Sequence, residues 1–172
     1  IPQPVAKKTM LALFDSMTSA AGTVSSIIEN KIIPCTLEFL DRVTVECVES
    51  YAQIGLPTDC EALLLVEVDG HAAEVAEQAE QILALATSGG AREVRLAQSA
   101  DEALGLASAR RTAFSALARL APTVVLEDVT VPRSELARMV ARIEEVGRRY
   151  RVRVGTFGHM GDGNLHPTFL CD

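Results

Sequence analysis

One order of elements occurs twice in this chain, an apolar run, an amphipathic stretch and a second apolar run, and that repetition constrains the fold more than any single motif. In the first half Thr9–Phe14 is an apolar run of strand length, and Asp15 or Ser16 is placed to cap a helix reaching about Asn30. Leu37–Leu40 reads as a short strand, Val43–Ile54 as a helix, and Ala62–Val68 as a strand closed by Asp69-Gly70. Ala72, Val75, Ala79, Ile82, Leu83 and Ala86 then follow the 3.6-residue period until Gly89-Gly90, ahead of a strand over Glu93–Ala97. The order restarts with a strand at Thr123–Leu126, a helix at Ser134–Arg149 and strands at Val152–Phe157 and Leu165–Leu170.

Strand, helix, strand, inserted helix, strand, helix, strand is the split βαβ order of a ferredoxin-like unit with one extra helix. The expected fold is therefore α+β: a ferredoxin-like antiparallel sheet with helices on one face, duplicated, the second unit incomplete. The expected units are residues 1–98 and residues 99–172, the latter opening on a connecting helix. That helix begins at Ser99-Ala-Asp-Glu102, the composition of a capping box. On a helical wheel Leu106, Ala113, Phe114, Leu117 and Leu120 form one apolar stripe, and Arg110 falls inside it. A guanidinium on an inward face needs a partner, because it cannot shed its proton to escape desolvation. Either a carboxylate of the chain, such as Glu127 or Asp128, or an anionic substrate would serve.

His159-Met-Gly-Asp-Gly-Asn-Leu-His166 joins the last two strands. Asp162-Gly163 has the composition of a type I′ loop, whose residues must tolerate positive φ. With those two residues as the loop, Gly161 faces Asn164, Met160 faces Leu165 and His159 faces His166. Opposed residues share a face, close enough for two imidazoles to reach one ion. Pro167 would oppose Gly158 at a non-hydrogen-bonded pair, where its missing N–H is not needed. Thr168 falls on the histidine face by alternation. Asp162 reads as a turn residue, Asn164 as a residue suited to the turn or to a ligand, and His71 as a solvated residue at a helix start.

Composition narrows the function. A net charge of −7 with no basic run argues against nucleic-acid binding. At 48% hydrophobic residues the chain can build a core, yet no apolar stretch approaches the roughly 20 residues of a membrane-spanning helix. Cys35, Cys47, Cys60 and Cys171 lack Cys-x-x-Cys spacing and read as small reduced core residues of a cytosolic protein. There is no Gly-x-Gly-x-x-Gly after a strand and no phosphate-loop Gly-Lys-Ser/Thr, so the chain binds no dinucleotide by itself. It opens on Ile1 and stops where a further helix and strand would complete the second unit, so it is expected to be part of a longer protein.

Gly158-His159-Met-Gly-Asp-Gly-Asn-Leu-His-Pro167 resembles the His-x-Gly-Asp-Gly-Asn-x-His signature of the FAD-linked oxidases, within them the glycolate oxidase and D-lactate dehydrogenase group. Ile33-Pro-Cys-Thr-Leu-Glu-Phe-Leu-Asp-Arg42, Leu64-Leu-Val-Glu-Val-Asp-Gly70, Ala109-Arg-Arg-Thr-Ala-Phe114 and Asp128-Val-Thr-Val-Pro-Arg133 resemble the family in the same order. The resemblance implies the substrate (cap) domain of an FAD-dependent 2-hydroxy acid dehydrogenase, with FAD held mainly by an upstream domain that this chain does not contain. It further implies that Arg110 clamps the substrate carboxylate and that His159 and His166 hold a divalent metal such as Zn or Mn with a Glu beyond residue 172. His166 and Arg110 would then be the catalytic pair, Thr168 a second substrate contact and Asn164 a contact to the flavin. The family usually has Trp three residues before its arginine, where this chain has Ala107.

The partners implied are a small 2-hydroxy acid, the upstream FAD-binding domain and iron-sulfur or other oxidase subunits, with homo-oligomerisation open. The implied location is cytoplasmic, with membrane association through partner subunits. Two other readings stand beside this one: a non-catalytic small-molecule sensor built on ferredoxin-like units, and a structural subunit of an oxidase. An inward arginine beside two opposed histidines favours the enzyme.

Overall fold

The computed structural model describes residues 4–172. Its elements are β1 (Ala6–Phe14), α1 (Met17–Glu29), β2 (Thr36–Asp41), α2 (Arg42–Ala52), β3 (Ala62–Gly70), α3 (Ala72–Ser88), β4 (Ala91–Leu96), α4 (Ala100–Leu117), β5 (Thr123–Leu126), β6 (Val129–Thr130), α5 (Leu136–Tyr150), β7 (Arg153–His159) and β8 (Asn164–Cys171). The eight strands form one sheet in the order β4-β1-β3-β2-β7-β8-β5, with β6 beside β8 and every pairing antiparallel.

The first four strands lie in the order 4-1-3-2 of a ferredoxin-like unit. The strands β7, β8 and β5 repeat the 2-3-1 part of that order in mirror sense, so the repeats meet where β2 pairs with β7. No counterpart of β4 lies beside β5 among the described residues, and Val125 and Leu126 on that strand are exposed.

The helices of the repeated units, α1, α3 and α5, pack on one face over Met10, Phe14, Phe39 and Leu64. The inserted α2 and the connecting α4 cover the other, over Leu11, Leu13, Leu40 and Leu63. Central β3 shows why two cores form, because Ala62–Val68 is buried at every position and its side chains alternate between them. A fully buried Leu or Phe contributes about 1.5–3 kcal/mol through the water-exposed area it removes.

Local chemistry fixes the ends of these elements. Ser16 Oγ accepts from Ser19 N and starts α1. Asp41 starts α2 by accepting from Thr44 N at 2.8 Å. The box at α4 is half formed: Ser99 Oγ accepts from Glu102 N at 3.1 Å, while the Glu102 carboxylate accepts from Gln98 N at 2.7 Å, one residue before the cap. Gly155 in β7 lets α4 approach the sheet, since a Cβ there would run into Leu117. His71 caps α3 without a side-chain bond and is exposed, as a helix-start residue should be. All four cysteines are free thiols, but Cys35 is exposed rather than part of the core.

Candidate active site

The hairpin differs from its expected form. Met160–Asp162 forms a 3₁₀ turn closed by Gly163 N donating to Met160 O at 3.1 Å, so four residues rather than two separate β7 from β8. The pairing slips by two positions: Phe157, not His159, opposes His166, and Thr156, not Gly158, opposes Pro167. The physical reason is a strap formed by residues 129–133. Val129 and Thr130 pair with Leu165 and Asn164, Val131 N donates to Gly163 O at 3.0 Å, and Arg133 Nε donates to Gly161 O at 2.6 Å. A tight two-residue loop would leave those donors without partners.

A slip of two preserves the side-chain face, so the expected juxtaposition survives it. The His159 and His166 rings are diagonal neighbours, edge to face, with centroids 5.5 Å apart. Pro167 remains at a position where β7 needs no donor from it. Thr156 N turns away toward β2, donating to Asp41 Oδ2 at 2.7 Å, while Pro167 O accepts from Glu127 N on the β5 side.

Glu38 is the residue the sequence reading missed. It stands directly opposite His159 across β2 and β7, and its side chain is only 6% exposed. Its Oε1 accepts from Arg110 Nε at 2.7 Å and lies 2.7 Å from His159 Nδ1. Arg110 Nη2 lies 2.9 Å from His159 Nδ1 and 3.1 Å from Nε2. A signal was present in the sequence: a lone carboxylate within Thr36-Leu-Glu-Phe-Leu40, an otherwise apolar strand that must be buried.

Arg110 sits beside the buried stripe rather than inside it. That stripe runs through Leu106, Ala109, Ala113, Ala116 and Leu117, whereas Phe114 and Leu120 are exposed and the Arg110 side chain is 42% exposed. Its carboxylate partner is Glu38, not Glu127 or Asp128. The weak amphipathic pattern of this alanine-rich helix let the wheel choose the large residues, but small ones make the close contact with the sheet.

His166 is 16% exposed, packed against Phe157 with ring centroids 5.3 Å apart, and its Nδ1 is buried without a hydrogen-bond partner. Burial pushes its pKa below the ordinary imidazole value, with Asp128, 3.8 Å from Nδ1, opposing that shift. An unprotonated ring with a free nitrogen can accept a proton or ligate an ion. The Asn164 Oδ1 is likewise buried without a partner, which leaves it free to meet a bound group. Thr168 lies on the same face but is 0% exposed, and its hydroxyl donates to His166 O at 3.3 Å. It braces the strand beneath the histidine and does not line the site.

An open cleft of about 470 Å³ runs past Cys35, Glu38, Arg110, Arg133 and His159. Larger concavities lie against α5 and beside the start of α4, away from the imidazoles. No cluster of three metal-ligating side chains occurs among the described residues. Of the two imidazoles, His166 offers an Nδ1 without a partner, while both nitrogens of His159 already lie against Glu38 or Arg110. They do not complete a coordination shell.

A continuous antiparallel sheet bearing Glu38 and two histidines, with Arg110 reaching them from α4, suits a domain that presents polar groups to a small ligand. The chain belongs to the family of FAD linked oxidases, C-terminal domain, whose model matches residues 3–172. It is 53% identical over 172 residues to glycolate oxidase subunit GlcD of Bacillus subtilis, covering 100% of this chain and 37% of that protein. It is 30% identical over 160 residues to D-lactate dehydrogenase of Archaeoglobus fulgidus, covering 92% and 34%. The chain thus spans about a third of the length of these relatives. Among solved structures, an alkyldihydroxyacetonephosphate synthase shares the fold with a TM-score of 0.67 at 12% identity, over 98% of this chain and 37% of that one. The fold is also shared by p-cresol methylhydroxylase with substrate bound, at a TM-score of 0.62 and 11% identity, over 100% and 40%.

Proposed function

We propose that this chain is the substrate-facing part of an FAD-dependent oxidoreductase that converts a small 2-hydroxy acid of the glycolate or D-lactate type to its 2-oxo acid. The observation that carries the reading is the meeting of Arg110 and His159 at one cleft, with the His166 ring edge to face against His159. Relatives named as a glycolate oxidase component and as D-lactate dehydrogenase support it.

Arg110 supplies the carboxylate contact. Its Nε is taken by Glu38 and its Nη2 lies against His159, so the Nη1 end is the part turned to a ligand. His166, kept unprotonated by burial, can take the hydroxyl proton or share a divalent ion such as Zn or Mn with His159. These two roles use the same lone pairs, so removing metal separates them. With an ion in place, Lewis-acid polarisation of the α-hydroxyl would be its contribution. FAD, held mainly by a domain outside this chain, would supply the hydride acceptor, and Asn164, whose buried Oδ1 has no partner, would be the residue of this chain that meets it.

The same proposal includes a cytoplasmic protein that assembles with further oxidase subunits, as the word subunit in the name of one relative suggests. No helix among the described residues is long and apolar enough to cross a membrane. The test is titration of the full-length protein with glycolate, D-lactate and longer 2-hydroxy acids while flavin absorbance is followed. Bleaching by one of them supports the reading, and a flavin that none of them reduces removes it. Chelation that abolishes reduction assigns the histidines to metal, and reduction that survives chelation assigns His166 to proton transfer.

A further inference from the structure

We infer that Glu38 is a positioning residue: it fixes His159 as the tautomer protonated on Nδ1 and turns the Arg110 guanidinium so that its Nη1 end faces an incoming carboxylate. The inference rests on the proposed carboxylate-binding role of this site, but its core is geometric. Glu38 Oε1 and His159 Nδ1 are 2.7 Å apart, and a carboxylate oxygen at that distance requires the ring proton on Nδ1. The lone pair is then on Nε2, and Arg110 Nη2, 2.9 Å from Nδ1 and 3.1 Å from Nε2, has only Nε2 to donate to in that tautomer. Because Nε donates to Glu38 as well, one side of the fork is committed and Nη1 alone is bonded to nothing among the described residues.

Stability gives no reason for this carboxylate. It is 6% exposed on a strand whose neighbours Leu37, Phe39 and Leu40 are buried, and its partner Arg110 is 42% exposed and could be hydrated without it. A buried ion pair is often replaceable by apolar residues without loss. What an apolar residue could not do is orient two polar groups at once. The same charge partly offsets that of Arg110, so Glu38 also weakens the hold on an anionic ligand and favours its release.

Glu38→Gln tests both effects in the full-length protein. One oxygen, Oε1, takes both Arg110 Nε and His159 Nδ1, so the glutamine amide oxygen can keep both contacts but only as an uncharged acceptor, which holds the ring and the fork less firmly. Without the carboxylate charge, acetate, a substrate-sized anion that lacks the hydroxyl, should bind at least tenfold tighter by calorimetry. Flavin reduction by glycolate or D-lactate should at the same time slow about tenfold, because the neutral acceptor orients His159 and Arg110 less firmly. Acetate affinity that is unchanged or weaker, or an unimpaired reduction rate, overturns the inference.

Should E38Q fail to fold, ¹⁵N-histidine spectra of the full-length wild type decide instead, with the His159 signals assigned by their loss in His159→Gln. A protonated Nδ1 and bare Nε2 are expected, and the opposite tautomer overturns the inference. If no 2-hydroxy acid reduces the wild-type flavin, the substrate reading falls, while the acetate and tautomer measurements still judge Glu38.

Discussion

Asp41 and Thr156 join the two halves of the sheet: Asp41 Oδ2 accepts from Thr156 N at 2.7 Å across the β2/β7 seam, while Oδ1 caps α2. Asp41 is sealed from water, and burial outweighs these bonds and pushes its pKa up to about 7. The folded state therefore keeps a proton that the unfolded chain releases near pH 4. Stability from this group is fully present below about pH 4, is lost as pH rises toward 7, and changes no further above it. His166, with its lowered pKa, works in the opposite direction as pH falls below its unfolded value, so the comparison must be with a variant. Asp41→Asn should remove the decline between pH 4 and 7 from the wild-type curve. It should also cost about 1–3 kcal/mol at low pH, because the amide nitrogen cannot accept from Thr156 N. Thermal melts of both proteins across that range check it, and parallel pH profiles would show that Asp41 does not titrate there.

Gly163 holds the turn between the histidines. Its φ is +84°, and a Cβ there would run into Val131 O, part of the strap that fixes the hairpin register. The left-handed conformation alone costs an L residue about 1–2 kcal/mol. Gly163→Ala should then destabilise by at least about 2 kcal/mol in urea unfolding, since the clash adds to that conformational cost. A variant as stable as wild type would mean that the strap yields easily and does not set the register.

Arg133 tests the strap more gently. Its Nε donates to Gly161 O at 2.6 Å and its own carbonyl accepts from Ser25 Oγ at 2.8 Å, which links α1 to the turn. Arg133→Ala deletes one largely exposed hydrogen bond, worth about 0.5–1.5 kcal/mol, so the melting temperature should move little. Amide exchange over residues 160–164 should nevertheless speed up relative to β3. Unchanged exchange there would show that β6 alone suffices to hold the turn.

These variants mark what the sequence disclosed and what it did not. The repeated element order and the antiparallel sheet could be read because apolar runs, caps and glycine stops agree at each boundary. Val152–Phe157 and Leu165–Leu170 lie within a few residues of β7 and β8. The shared face of His159 and His166 was legible too, because any even slip keeps it. The register was not legible, since it depends on Val131 and Arg133 reaching the turn from a distant part of the chain. Glu38 was missed for a similar reason: it meets His159 only through the pairing of β2 with β7, and no local pattern announces a contact between separate repeats.

Arg110 is the residue on which substrate recognition should turn. It is held by Glu38 through Nε and lies against His159 through Nη2, yet its side chain is 42% exposed, so the ion pair should add little to folding. Lysine keeps one positive charge but has neither the planar fork nor a second donor in fixed geometry. Arg110→Lys in the full-length protein should lower kcat/KM for the 2-hydroxy acid by about 2–5 kcal/mol, the range for truncating one member of a hydrogen-bonded charge pair. The melting temperature should stay within a few degrees of wild type. A sharp fall in melting temperature with flavin reduction intact would reverse the assignment, making Arg110 the anchor of α4 to the sheet and leaving the carboxylate to another group.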